Sequence, residues 1–251
     1  MKSLLKNLAR SNGVTESLLR QWRGRKRKVS VGGVSLVISD LSRSLAHGAI
    51  VREFLQDVYG LHTIPFEEGD VVIDIGAHVG LEATFLAKRY PFLKILAFEP
   101  VPANFASLRH NLRANGITNV QAFRNAITRD NRDVTIWTDL VDNSGGGGHD
   151  RPAEHFAGRT PFRARSTTLD RVFEEHDIRS CKLLKIDCEG AEHEILMNSA
   201  CLKRVEYLSG EFHIDGHLQD QGYTIDRLLE HVRRFIPEDH IRIVRDEHPR
   251  Q

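Results

Sequence analysis

The chain has 251 residues, 40% hydrophobic and 27% charged, values of an ordinary globular protein that exclude a disordered or collagen-like chain. Lysine and arginine number 35 against 34 acidic residues, a formal net charge of +1, so no whole-chain attraction to nucleic acid is expected. No run approaches the ~18 apolar residues of a spanning helix, and Cys181, Cys188 and Cys201 lack the C-x-x-C spacing of a zinc site or the number of a disulfide framework.

The length suits one α/β domain, residues 51–251, preceded by an N-terminal appendage, residues 1–50. Lys2 and Lys6 are not followed by an apolar stretch of signal-peptide length, so a reducing, cytoplasmic setting is expected. Residues 1–28 read as a short amphipathic helix, with Leu4, Leu5, Leu8, Leu18, Leu19 and Trp22 on a loose apolar face, and then a basic tether. The tether's Trp22–Lys28 run suits phosphate, a membrane surface or an acidic partner, or else is simply solvated. Alternation over 29–39 around Gly32-Gly33 predicts a hairpin, and 43–59 a helix. The appendage is expected to act as a cap over the substrate.

From residue 70 strands and helices alternate. Val71–Ile75 is a short apolar strand, and Val79, Ala83, Leu86, Ala87 and Tyr90 recur at helical spacing. Lys94–Glu99 is the next strand; Pro100 and Pro102 open a helix that Asn115-Gly116 stops. Asn119–Phe123 is a third strand and Asp133–Thr138 an extra one. Residues 140–165, with four consecutive glycines from Gly145, read as a long polar loop, a lid or a mobile insertion. A helix over 168–176, a strand over Lys182–Asp187, a helix over Gly190–Met197, a strand over Val205–His213, a helix near 223–235 and one strand over 240–245 complete the pattern.

Such alternation implies an open, mostly parallel sheet with helices on both faces, which binds ligands at the carboxyl ends of its strands. The first turn reads Asp74-Ile75-Gly76-Ala77-His78-Val79-Gly80. Gly76 permits a tight turn and close approach of a ligand, and Gly80 close helix–strand packing. His78 stands where a dinucleotide fingerprint has its second glycine, which crowds out a pyrophosphate. Asp74 adds negative charge that suits a cationic ligand. Glu99, ending the next strand, is placed to accept hydrogen bonds from ribose hydroxyls.

The segment from Val71 to Leu112 resembles the front half of a class I S-adenosylmethionine-dependent methyltransferase. STTLDRVFEEHDIRSCKLLKIDCEGAEHEIL, from Ser166, and LSGEFH, from Leu208, narrow the resemblance to the FkbM family, and KIDCEGAE is its most specific element. The resemblance implies a Rossmann-like fold and binding of S-adenosylmethionine, with S-adenosylhomocysteine as product. It implies that Asp74, Gly76, His78 and Gly80 line the methionine and adenosine end, that Glu99 holds the ribose, and that Asn125 contacts the adenine edge. The chain departs from the family in His78, where Asn is commoner, and in showing a single strand after residue 235.

In such a sheet the strands ending at Asp187 and His213 are neighbours. Lys185 shares a face with Asp187, and Glu211 with His213, so these groups are expected beside the methyl group. His213 or Asp187 is expected as general base, with an ordinary histidine pKa suiting the task. Lys185 would orient an acceptor oxygen or, desolvated, act as base. Asp187, Glu211 and His213 also form a ligand set for Mg²⁺ or Mn²⁺. Glu189 and Glu192 are read as capping the following helix. Acidic neighbours argue against Cys188 as a nucleophile.

The expected activity is O-methylation of a sugar or natural-product hydroxyl. A carboxyl or nitrogen acceptor, a non-catalytic adenosine-binding module and an RNA methyltransferase using the basic run are the alternatives. The partner expected is a small-molecule or saccharide substrate rather than nucleic acid, and no sequence stripe specifies an oligomer.

Overall fold

The computed structural model describes residues 25–40, 46–139, 143–148 and 159–247. The amphipathic segment expected over 1–24 lies outside them. Arg25–Lys28 are not a tether: they begin strand β1 (Arg25–Val31), which pairs antiparallel with β2 (Val34–Asp40) across the Gly32-Gly33 turn. The other edge of β2 is satisfied by side chains from two helices, α2 (Leu81–Arg89) and α3 (Pro102–Ala114). Asn115 accepts from Val37 N and donates to Val37 O, both at 2.9 Å. Asn111 does the same for Ser39, at 2.9 and 3.0 Å, and Lys88 donates to Ser35 O at 2.9 Å. This side-chain ladder covers an edge that would otherwise invite strand addition. The hairpin part of the expected cap therefore lies on α2 and α3. The following helix, α1 (Ala46–Leu55), ends four residues before the expected 59, and residues 43–45 of the expected helix lie outside the described ones.

The main sheet takes β3 (Val71–Ile75), β4 (Lys94–Phe98), β5 (Val120–Phe123), β11 (Cys181–Ile186), β12 (Val205–Ile214) and β13 (Ile241–Glu247). Their order is β13-β12-β11-β3-β4-β5, and every neighbouring pair is parallel. Val72, Ile73, Ile95, Leu96, Leu183 and Leu184 are fully buried because helices cover both faces. On one face α4 (Leu169–Glu175), α5 (Glu192–Met197) and α7 (Ile225–Val232) pack over Ile73, Leu96 and Leu184. On the other, the hairpin, Phe54 of α1, α2 and α3 pack over Val72, Ile95 and Leu183. A short helix, α6 (Gly216–Asp220), absent from the sequence expectation, is capped by Asp215, whose side chain accepts from Leu218 N. The single terminal strand expected after residue 235 is β13.

The 140–165 segment is not simply a loop. Within it, β8 (Asn143–Gly148) and β9 (Thr160–Ala164) flank β7 (Val134–Asp139) in an antiparallel sheet, and β8 lies beside α1. Val134, Ile136 and Ala164 give this sheet a small core with Val101 and Ala126. Glycine-rich β8 hides its strand character, since it has no side-chain alternation to read. A two-stranded parallel ladder of β6 (Ala126–Ile127) and β10 (Ser166–Thr167) ties the insertion back to the domain. Among the described residues, no helix is long and apolar enough to cross a membrane.

Candidate active site

Chain order reverses between β3 and β11, neighbours from which the sheet is built outward in both directions. At such a switch point the loops leaving two adjacent strands diverge and open a crevice at their carboxyl ends. The turn after β3 is pinned there: Gly76 N and Ala77 N both donate to Phe98 O at 3.0 Å, and Asp187 N donates to Ile75 O at 3.0 Å. Gly76 has φ +79°, and a Cβ on it would lie 1.7 Å from the Asp187 carbonyl oxygen. Only glycine fits this approach. Gly80, φ +77°, is needed for a different contact from the one expected: its Cβ would meet Leu108 Cδ1 of α3 at 2.2 Å, so it permits helix–helix rather than helix–strand packing.

His78 occupies the left-handed region at φ +49°, which asparagine tolerates better than most residues. Its N–H is held by Glu99, which accepts from His78 N at 2.9 Å through Oε2 and from Val101 N at 2.8 Å through Oε1. Glu99 is thus a buried brace between two loops. Burial pushes its carboxyl up to about 7 against the pull of the Val101 and His78 N–H groups. Asn125 sits half-buried just beyond β5, at the same end of the sheet.

Below the turn lies a buried charge cluster. Lys185 Nζ is 3.4 Å from Asp74 Oδ1 and 3.7 Å from Asp187 Oδ2, and donates to Gly76 O at 3.2 Å. Burial opposes its charge, but Asp74, Asp187 and Glu82 outweigh it and drive its pKa upward. Lys185 is thus held in its charged form, and it ties the glycine turn to β11. Glu82, in the first turn of α2, is buried, and burial lifts its carboxyl to about 7 despite Lys185. Tyr59 reaches in from the segment after α1 and donates its O–H to Asp187 Oδ2 at 3.0 Å. Its own carbonyl accepts from Ser209 Oγ of β12 at 2.6 Å. Burial and the Asp187 charge raise the phenol's pKa, so it remains a donor.

At the ends of β11 and β12, ligand atoms of Asp187, Glu211 and His213 come within 4.8 Å of one another. Here His213 is surrounded by carboxylates. Its nearest carboxylate is Glu192, at 3.4 Å from Nδ1; Glu211 and Glu189 lie 3.8 and 3.9 Å from Nε2. Burial alone would lower its pKa, but the Glu192 bond and charge, with Glu189 and Asp187, raise it to about 10. Its surroundings thus favour the protonated imidazole. Glu192 is likewise more than a helix-start charge: fully buried, it accepts from Cys188 N at 2.9 Å and Gly190 N at 3.0 Å. Burial raises its carboxyl, but the His213 and backbone contacts prevail and hold it at about 2. Glu189, at φ +60°, is pushed by burial up to about 8. Burial and the same acids raise the Cys188 thiol, which removes it as a nucleophile.

A family model described as the methyltransferase FkbM domain matches residues 74–240, two-thirds of the chain. The chain belongs to the FkbM methyltransferase family. Methyltransferase sdnD of Sordaria araneosa is 25% identical over 226 residues, covering 76% of this chain and 85% of that protein. The 31-O-demethyl-FK506 methyltransferase FkbM of Streptomyces tacrolimicus is 27% identical over 211 residues, covering 70% and 81%. Methyltransferase 1 of Beauveria bassiana (strain ARSEF 2860) is 25% identical over 147 residues, covering 53% of this chain and 59% of that relative. Among solved structures, precorrin-6y C5,15-methyltransferase from Geobacter metallireducens GS-15 is similar with a TM-score of 0.37 and 16% identity, over 61% of this chain and 56% of that one. Trm5b from Pyrococcus abyssi is similar with a TM-score of 0.41 and 14% identity, over 85% and 48%. The chain thus spans about half the length of these solved chains.

In this FkbM-family chain the sequence-predicted residues fall into two adjoining groups. Asp74, Gly76, His78, Gly80 and Glu99 surround the β3 turn; Lys185, Asp187, Glu211 and His213 line the ends of β11 and β12. Tyr59, Glu82, Glu189 and Glu192 join them without having been singled out as site groups. Glu192 carried a legible signal, falling four residues after Cys188 inside KIDCEGAE. Tyr59 carried none, because it lies upstream of the matched domain and reaches the site only through tertiary packing.

Proposed function

We propose that the protein transfers the methyl group of S-adenosylmethionine to a hydroxyl of a small, uncharged acceptor such as a sugar or a natural product. The observation that carries this reading is that the tight Gly76 turn brings the end of β3 against Asp187, whose carboxylate is held by Tyr59, at the switch point of the sheet. The residues present suit the cofactor: Gly76 lets the β3 turn close tightly against β11, and Asp74 and Glu99 offer buried carboxyl oxygens as acceptors to a nucleoside. When bound, the cofactor supplies an activated methyl group on sulfur, so the protein's task is alignment and proton removal. Asp187 is the base. Tyr59 occupies its Oδ2, which leaves Oδ1 to take the hydroxyl proton. His213, carrying a proton, donates to the acceptor oxygen or its neighbour and fixes its approach. Asp187, Glu192 and Glu211 outnumber the cations beside them, His213 and Lys185, which leaves the acceptor end negative and disfavours carboxylate acceptors and nucleic acid.

A second reading adds Mg²⁺ or Mn²⁺ at Asp187, Glu211 and His213. The donor set fits, because Glu192 engages Nδ1 of His213 and leaves Nε2 facing Glu211. The ion would supply Lewis acidity to an acceptor oxygen in place of the His213 proton.

The test supplies methyl-labelled S-adenosylmethionine with neutral sugars and their uronic-acid counterparts. Label should enter the neutral acceptors, and Asp187→Asn should stop transfer while S-adenosylmethionine binding persists. Labelling of the acids alone, or full activity in Asp187→Asn, refutes the reading.

A further inference from the structure

The methyl-transfer reading leaves the basic run that enters β1 unused. In the structure Lys26 and Lys28 of this run share the face of β1 opposite buried Val29, whereas Arg27 is on the Val29 side. Lys26, Arg27 and Lys28 are exposed on β1, and Arg109 and Arg113 are exposed one turn apart on α3. Lys26 pairs with Ser39 of β2, which is bound to Asn111, so one strand separates the β1 charges from α3. The positive potential is felt locally: burial together with Lys26 and Arg113 lowers the pKa of His110, which lies between them. The acids carried by β1, β2, α2 and α3 are Asp40 and Glu82, and both are buried. A chain of near-zero net charge thus concentrates exposed cations on the hairpin-and-helix layer. The run continues upstream in sequence with Arg20 and Arg23 beside Trp22.

We propose that this hairpin-and-helix face docks on an anionic lipid surface. A planar array of lysine and arginine suits a sheet of negative headgroups, each cation adding to the attraction. Single-stranded nucleic acid would want exposed rings as stacking platforms. The rings on these four elements are Phe85, which is buried, and Phe105 and His110, which are half-buried, Phe105 with the Arg109 guanidinium 6.0 Å from its centroid. An exposed ring does stand at the margin: Phe92, 42% exposed, beside Tyr90 just after α2. Arg89, between this ring pair and the hairpin, donates to Gly32 O at the hairpin turn at 2.9 Å. An aromatic next to cations at the edge of a basic face is the arrangement that enters a headgroup layer.

The test is sedimentation of the full chain with phosphatidylcholine vesicles and with vesicles also containing phosphatidylglycerol. Binding should require the anionic lipid, weaken as salt is raised, and fall about 100-fold in a Lys26→Glu, Lys28→Glu, Arg113→Glu variant. An Arg109→Glu, Arg113→Glu variant should also weaken binding, which assigns the effect to the folded face and not to the upstream run alone. Circular dichroism on each variant checks folding, and S-adenosylmethionine binding should be unchanged in both, whatever the acceptor. Equal binding to neutral vesicles, no binding at all, charge-reversed variants that bind as well as the parent, or salt-sensitive capture of poly(U) RNA without vesicle binding would each overturn the proposal. Vesicle indifference would leave the β1 charges as guards against strand pairing only.

Discussion

Glu99→Gln tests the electrostatics of the brace that holds the glycine turn. In the native chain the carboxyl is 4% exposed and its pKa is raised from 4.5 to about 7. A raised folded-state value means that the group's contribution to stability is fully present below pH ~4.5 and is lost as pH climbs through ~7. At ~1.4 kcal/mol per unit, the native chain loses about 2.5 kcal/mol at this site between pH ~5 and pH ~8. Glutamine does not titrate. The stability of Glu99→Gln relative to the native chain should therefore rise by about that amount across the interval, whatever fixed penalty the lost acceptor geometry imposes. Urea unfolding of both chains at the two pH values measures it, as a relative midpoint shift of roughly 1 M. Taking the difference between chains removes the similar titrations of Glu82 and Glu189. A difference that stays flat with pH would mean that Glu99 ionises as an exposed carboxylate, and the brace would be refuted.

Three other outcomes follow from the geometry. Gly76→Ala places a methyl 1.7 Å from a backbone carbonyl at φ +79°, and should cost about 3–5 kcal/mol in thermal or urea unfolding. Gly80→Ala meets only the end of the Leu108 side chain and should cost less, about 1–3 kcal/mol; the reverse order would contradict the crevice geometry. Tyr59→Phe removes a hydrogen bond to a charged group and should lower kcat about 10- to 100-fold with S-adenosylmethionine affinity unchanged, as calorimetry and label transfer will show. Under the metal reading, a chelator should lower label transfer and Mn²⁺ restore it, but not in His213→Ala; insensitivity to the chelator leaves the imidazolium as the acting group.

The sheet was readable because Val71–Ile75, Lys94–Phe98 and Cys181–Ile186 are short apolar runs bounded by turn residues, the signature of strands buried on both faces. Adjacency of β11 and β12 followed from the family resemblance and brought Asp187, Glu211 and His213 into one place. Their protonation was not legible. Residue type suggests a neutral histidine, whereas Glu192, turned inward from α5, raises the pKa of His213. Lys185 looked available as a base until Asp74 and Asp187 appeared on either side of it. The hairpin was legible from its glycine turn, but its seat on α2 and α3 depends on Asn111 and Asn115, polar residues that periodicity reads as surface. The insertion strands escaped because glycines in β8 supply no alternating pattern.

The most direct test of the account is calorimetric titration of the native chain and of Glu99→Ala with S-adenosylmethionine and S-adenosylhomocysteine. The account predicts micromolar binding of both ligands to the native chain and a loss of tenfold or more in the variant, about 1.4 kcal/mol or beyond. Absence of binding by folded native protein would contradict it, and the β3 turn would then be scaffold rather than a cofactor site.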